Sequence, residues 1–313
     1  MARKRRGRPV HGWLVIDKPP GLTSTAVLNK ARWLVGAEKA GHGGTLDPIA
    51  TGVLPIAFGE ATKTVAYAMD GTKCYRFRAR WGEERATDDR VGDVIGNSDR
   101  RPTCSDIEAV LPRFIGDIEQ VPPQYSAIKI DGERAYDIAR GGDAVELVSR
   151  IVRVDRLSLI DYIDTDHAEF EVVCGKGTYM RSLARDIGRI LGCLGHVDEL
   201  RRFSVGRFTL DHAISLDELA DLGQGAAVDS RMLPIETALD DIPALALTVA
   251  EAHRLRQGQT VALLGRQDLD RLEQLAEACA GSDGIVLATA AERPVALVRL
   301  EGAEIVPVRV FNF

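Results

Sequence analysis

Between Lys73 and Trp81 the chain alternates without a break, with Tyr75, Phe77, Ala79 and Trp81 on one parity and Arg76, Arg78 and Arg80 on the other. A period of two residues fits one backbone, a strand with one face packed and the other wet. Tyr75 therefore points toward the packed side. Ala168, Phe170, Val172 and Cys174 repeat the pattern. That strand runs into Gly175-Lys176-Gly177-Thr178, and the helix after it carries Met180, Leu183, Ala184, Ile187, Ile190 and Leu191 on its apolar face.

Turn and capping residues place the other elements. A short strand at Trp13–Ile16 leads into DKPPGLTS, a Pro/Gly loop that delivers Thr23 or Ser24 as the N-cap of a helix ended by Gly36. The stretch GHGGTLDPIATGVLPIAFGEATK, with five glycines and two prolines, reads as loop around one short strand near Val53–Phe58. A helix is expected over Ser105–Phe114, capped by Ser105 with Glu108 as capping-box partner. Residues 116–150 read as turns around one helix, and strand character resumes over Ile151–Ile163. DELADLG is helical. Pro234 and Pro243 then flank a boundary near 235–247. Beyond it, Thr248 caps a helix with Glu251 as partner and Gly258 as stop. Strands are expected at Gln259–Leu264, Ile285–Thr289, Val295–Leu300 and Ile305–Phe311, with Asp283-Gly284 as a turn between them.

Five scattered cysteines (Cys74, Cys104, Cys174, Cys193, Cys279) form neither a disulfide framework nor a zinc pattern, which points to a reducing cytoplasm and no metal. No apolar run approaches the roughly 18 residues of a membrane span. The net charge of −6 is unevenly spread. Residues 1–80 carry 14 Lys/Arg and 5 Asp/Glu, and residues 173–210 carry 7 and 3, whereas 81–172 carry 11 and 21 and 211–313 carry 8 and 17. If the fold joins the two basic blocks, one face attracts phosphates despite the acidic total.

No phosphate-binding loop, dinucleotide fingerprint, metalloprotease helix or nucleophile elbow is present. The carboxylate best placed for chemistry is Asp47, in the glycine-rich loop between His42 and Pro48. Lys18, Tyr75 and Arg181 stand at the start of a loop, a strand and a helix, where side chains converge on a site held by rigid elements. Arg181, Arg185 and Arg189 recur at i, i+4 and i+8, a like-charge row that calls for something anionic alongside.

The sequence strongly resembles the bacterial TruB-type tRNA pseudouridine synthases. The likeness runs through DKPPGLTS, AGHGGTLDPIATGVLPIAFGEATK, KCYRFRARWG, GDIEQVPPQYSAIKIDGERAYDIAR, CGKGTYMRSLARDIG and GHVDELRRFSVGRF, covering residues 9–210. It implies a mixed α+β catalytic domain on a central, mainly antiparallel sheet (residues 1–240) and a β-rich, PUA-like RNA-binding module (245–313). It implies isomerisation of uridine 55 in the tRNA T-loop after base flipping. Asp47 would be catalytic, Tyr75 and Arg181 its partners, and His42 the residue that stacks in the vacated space. Tyr179 and Leu200 would line the base pocket, with Lys18, Gly44, Thr45 and Lys63 as further substrate or RNA contacts. The partner implied is the T-arm of tRNA, met by a cytoplasmic monomer without cofactor.

Gly43 stands where the family carries Thr, which loosens a loop without removing a reacting group. The acidic RATDDRVGDV stretch is shorter than the family's version, so its contacts are open. Two rival readings fit the sequence less well: an RNA chaperone would not need Asp47, Tyr75 and Arg181 together, and an enzyme on free nucleosides would not need the basic arm Arg3–Arg8 or the Arg row.

Overall fold

The alternating segment becomes the middle of a ten-stranded sheet. The computed structural model describes residues 7–126, 129–130, 133–134, 147–265, 268–279 and 283–313. In the first half the strands are β1 (Gly12–Lys18), β2 (Ala40–His42), β3 (Thr51–Phe58), β4 (Lys73–Trp81), β5 (Glu83–Arg85), β6 (Val94–Asn97) and β7 (Gly116–Gln120). A small pair, β8 (Lys129–Ile130) and β9 (Glu133–Arg134), precedes β10 (Arg150–Tyr162), β11 (His167–Cys174), β12 (Gly195–Val205), β13 (Phe208–Thr209) and β14 (Ala213–Ile214). The order is β14-β1-β3-β12-β4-β11-β10-β7, with β2 beside β3 and β13 beside β12. Only the β1·β14 and β3·β12 pairs are parallel, so the expected mainly antiparallel sheet is what forms.

Helices α1 (Ser24–Val35), α2 (Val65–Asp70), α3 (Cys104–Val110) and α4 (Met180–Leu191) connect these strands. Val27 and Ala31 of α1, Ile107 of α3 and Leu183 and Ile187 of α4 pack on Ile16, Leu54, Phe77 and Phe170 of the sheet. Phe77 and Phe170 stack across the β4·β11 pair with centroids 5.0 Å apart. β1 is buried on both faces. Its Leu14 and Ile16 belong to that core, while Trp13 and Val15 face a second one that includes Leu287, Leu297 and Phe311.

Those last three residues come from the five-stranded C-terminal sheet, β15 (Ala244–Ala246), β16 (Val261–Ala262), β17 (Ile285–Ala290), β18 (Arg293–Glu301) and β19 (Glu304–Val310). The C-terminal module thus shares apolar surface with the opposite face of the large sheet while keeping a core of its own around Leu255, Val286 and Val298.

Several local expectations need correction. The third helix is capped by Thr103, whose side chain accepts from Asp106 N at 3.2 Å while the Asp106 carboxylate accepts from Thr103 N at 2.9 Å. Thr-x-x-Asp does the work assigned to Ser105 and Glu108, and it starts the helix directly after Pro102. Asp283-Gly284 precedes β17 rather than joining paired strands; the β17–β18 reversal is made by Ala291 and Glu292, both at positive φ. Only Val261–Ala262 of Gln259–Leu264 is strand. The β5–β6 hairpin, β15 and the helix Asp268–Ala278 were unforeseen. The helix expected within 116–150 lies outside the described residues, apart from the strands noted.

β3 runs through Gly52 and Pro55, residues that ordinarily break strands. Pro55 falls just past the β2 pairing at Ile56–Phe58, where its carbonyl accepts from Gly43 N at 2.7 Å and its missing N–H ends the ladder. Gly52 has φ of +102°, and a Cβ there would stand 2.1 Å from the Arg202 carbonyl oxygen. We expect Gly52→Ala to destabilise the protein by at least about 2 kcal/mol, through overpacking added to backbone strain. Thermal unfolding measures it, and an unchanged midpoint would contradict this close approach.

Candidate active site

The loop that joins β2 to β3 carries Asp47, and several elements fix it. Ser24, at the start of α1, donates its hydroxyl to Leu46 O at 3.0 Å and accepts from Leu46 N at 2.8 Å. Gly21 N donates to Pro48 O at 2.8 Å. From beneath come two buried cations. The Lys18 ammonium, at the end of β1, donates to Pro19 O at 3.0 Å, Pro48 O at 3.2 Å and Ala50 O at 2.6 Å. Arg202 of β12 donates from Nε to Val53 O at 2.8 Å and from its terminal nitrogens to Gly44 O at 3.1 Å and Thr45 O at 3.4 Å.

Lys18 is fully buried, and desolvation pulls its pKa down to about 8 against the pull of the Asp47 carboxylate. The structure places Lys18 under the Asp47 loop, its three donors going to Pro19 O beside it and to Pro48 O and Ala50 O of that loop.

Arg181 enters from the first turn of α4. Its Nε and one terminal nitrogen each donate to a different Asp47 oxygen, both at 2.8 Å, the two-pronged geometry that best orients a carboxylate. Its remaining donors go to Thr87 O at 3.0 Å and Tyr125 O at 3.1 Å. The guanidinium is thus satisfied and buried, with a relative exposure of 3%, while the Asp47 side chain stays 27% exposed toward the cavity.

The rest of the Arg row meets carboxylates of this chain instead of an external anion. Arg185 pairs with Asp88 at 2.9 Å and Asp186 at 2.8 Å, and Arg189 with Glu84. The acidic 82–105 stretch so gains a role: the β5–β6 loop delivers the Thr87 carbonyl to Arg181 and Asp88 to Arg185.

A cavity of about 290 Å³ opens over Asp47, walled by Tyr75, Lys73, Tyr179, Leu200 and Arg202. Gly44 and Thr45 also line it. Tyr75 lies opposite Arg202 in the β4·β12 register, its ring centroid 6.0 Å from the guanidinium carbon. Burial pushes its phenol pKa up, and the nearby Arg202 charge opposes that rise. Tyr179 caps α4 from a strand-like conformation and exchanges hydrogen bonds with the Gln120 side chain, accepting at 3.2 Å and donating at 2.8 Å.

His42 sits one loop away on β2, half-buried, and among the described residues its Nδ1 has no partner beyond its own backbone. Burial lowers its pKa and so favours the neutral ring. Lys63 is the residue the structure does not bring to the site: its ammonium donates to Glu60 and to Val310 O, both at 2.6 Å, tying the large sheet's flank to β19.

Sequence reasoning missed Arg202 and Lys73. The signal was there for Lys73, which shares the parity of Tyr75 and Phe77 in the alternating strand. Among the described residues no His, Cys, Asp or Glu group could hold a metal, and no helix is long and apolar enough to cross a membrane.

Comparison with known proteins gives the same frame. The profile described as "TruB family pseudouridylate synthase (N terminal domain)" matches residues 32–180, and "tRNA pseudouridylate synthase B C-terminal domain" matches 181–240. Proteins named tRNA pseudouridine synthase B are 54% identical in Rhodospirillum rubrum, over 100% of both chains, and 54% identical in Bradyrhizobium diazoefficiens, over 99% of this chain and 88% of that protein. Among solved structures, "Crystal Structure of a Cbf5-Nop10-Gar1 Complex" aligns with a TM-score of 0.71 at 26% identity, over 96% of this chain and 84% of that one. "Structure of H/ACA RNP bound to a substrate RNA containing 2'-deoxyuridine" gives 0.71 at 23% identity, over 100% and 92%, a likeness of fold.

Proposed function

The chain belongs to the TruB family of pseudouridylate synthases, and from that premise we propose that it isomerises uridine 55 in the T-loop of tRNA, with Asp47 as the reacting carboxylate. It is a tRNA pseudouridine synthase by kinship. The observation that carries the residue assignment is the two-pronged Arg181–Asp47 pair on the floor of a cavity walled by Tyr75.

The geometry gives each group a task. Arg181 aims Asp47 at one point and keeps a negative charge favourable there. Tyr75 and Leu200 offer a flat and an apolar surface to a flipped uracil. His42, whose burial favours the neutral ring, suits stacking among the bases left behind, where an imidazolium would cost more to desolvate. Breaking the bond from N1 to C1′ and remaking it through C5 is redox-neutral and asks only for a positioned carboxylate. Lys18 and Arg202 hold the loop in register. Residues 1–240 form the catalytic unit of this reading and 245–313 a PUA-like module, in a cytoplasmic monomer acting on the T-arm.

Incubation of T-stem-loop RNA with pure protein, followed by nucleotide-resolution mapping, tests this: conversion at position 55 is expected, and no conversion would refute it. A second expectation concerns charge. Five cations of the two basic blocks, Lys18, Lys73, Arg181, Arg185 and Arg202, are buried, so the phosphate-binding face is weaker than the count suggests. Affinity should fall with salt, but the log–log slope should stay below about 7 in magnitude, since the surplus left after the five buried cations allows about eight phosphate contacts at roughly 0.7 to 0.9 each. A flat dependence between about 50 and 200 mM would mean that phosphates do not carry the binding.

A further inference from the structure

Two cations in the cavity wall have no carboxylate within ion-pair distance among the described residues. Lys73 is 7% exposed, and its ammonium donates to Met69 O and to Gly71 O at 2.6 Å, which leaves its third N–H without an acceptor among the described residues. Arg202 is 1% exposed, donates to the carbonyls of Val53, Gly44 and Thr45 and hydrogen-bonds the Tyr75 side chain, with no carboxylate partner among the described residues. Both line the cavity that holds Asp47. Lys73 shares the β4 face with Tyr75, and Arg202 lies across from Tyr75 on β12, so the two charges flank the phenol ring.

Burying a cation without a counter-anion is costly, and Asp47 is already engaged by Arg181 through both oxygens. A neutral donor could satisfy the same carbonyls at lower cost. The arrangement makes sense if a second anion arises in the cavity during the reaction.

Resting on the reaction assigned above, we propose that Lys73 and Arg202 form an electrostatic site for the negatively charged uracil released during isomerisation. When the C1′–N1 bond breaks, its electron pair leaves with N1 and the base becomes a monoanion. Asp47 turns neutral in the same event, by bonding to C1′ or by accepting the C2′ proton. Negative charge so moves from the Arg181 side of the cavity to the Lys73 and Arg202 side. After the base turns over, C5 gives its electron pair to C1′, Asp47 recovers its charge, the C5 proton is lost and N1 is protonated. Lys73 gives up no proton at any stage; it lowers the energy of the anion by charge and one hydrogen bond. Groups facing its ammonium are Cys174 of β11, Arg202 of β12, Asp70 at the end of α2 and Lys176 beyond β11; burial brings its pKa to about 8, so it remains mostly charged at pH 7.

The test compares single-turnover rates on T-stem-loop RNA carrying uridine or 5-fluorouridine at the target position. Fluorine withdraws electrons and stabilises the departing base without help from the protein; because C5 then carries fluorine and has no proton to lose, the rate read on both RNAs is loss of the N1–C1′ linkage of the target nucleotide, not appearance of pseudouridine. Lys73→Met should slow uridine conversion at least about tenfold while RNA affinity stays within about twofold, and that loss should shrink at least about threefold on the fluorinated RNA. Lys73→Arg, which keeps the charge, should recover most of the rate; Lys73→Gln serves in place of Met if that variant melts early. Equal losses on both RNAs would overturn the proposal in favour of a packing role, and an affinity loss matching the rate loss would overturn it in favour of a phosphate contact. Failure of the wild type on uridine would instead refute the reaction on which the proposal rests.

Discussion

Asp47→Asn should abolish pseudouridine formation, a drop of at least about 10³-fold in single turnover, while T-arm affinity stays within about tenfold. The amide matches the carboxylate in shape but presents one acceptor where Arg181 now finds two, and it has no charge with which to attack or to accept a proton. Arg181 would keep its bonds to Thr87 O and Tyr125 O while losing part of its compensation, so stability should fall by about 1–3 kcal/mol. Thermal unfolding separates that cost from the chemistry. Retained turnover in the Asn variant would remove Asp47 from the mechanism.

Arg181 should show graded loss. Lysine keeps the positive charge but cannot hold both carboxylate oxygens in a planar fork, nor reach the Thr87 and Tyr125 carbonyls at the same time, so Asp47 is left poorly aimed. Misplacement on the scale of an ångström corresponds to about a 100-fold loss, which is the size expected of Arg181→Lys. Arg181→Met should be slower again, because it also removes the charge and leaves Asp47, Thr87 and Tyr125 without their shared donor. Single-turnover rates at saturating enzyme give the order wild type, Lys, Met, free of RNA binding. If Lys equals wild type, orientation is not what Arg181 contributes.

What could be seen beforehand depended on whether the information was local. The Tyr75 strand was legible because burial on one face writes a period of two into nine consecutive residues, and the structure keeps that alternation from Lys73 to Trp81. The caps at Thr23, Gly36 and Thr248 were legible because each lies within a turn of the helix it ends. The Arg row showed that anions were needed but not which, since Asp47, Asp88 and Glu84 reach α4 from segments 97 to 134 residues away that no spacing rule connects. For the same reason the likeness to a family, and not periodicity, paired Asp47 with Arg181.

Lys18 and Lys63 show the opposite failure. A lysine in a motif reads as a ligand contact, yet only the tertiary structure reveals that the Lys18 ammonium is held by backbone carbonyls and the Lys63 ammonium by the Glu60 carboxylate and Val310 O. Thr103 displaced Ser105 as a cap because two adjacent capping boxes competed, and the one beginning right after Pro102 won.

The central claim is that a carboxylate aimed by Arg181 turns over one uridine of the T-loop. Its most direct test is nucleotide-resolution mapping of whole tRNA after single-turnover incubation with the wild type and with Asp47→Asn, at enzyme concentrations that give equal RNA occupancy. The account predicts pseudouridine at position 55 alone with the wild type and at no position with the Asn variant. Pseudouridine at position 55 with the Asn variant, or its absence there with the wild type, would contradict it.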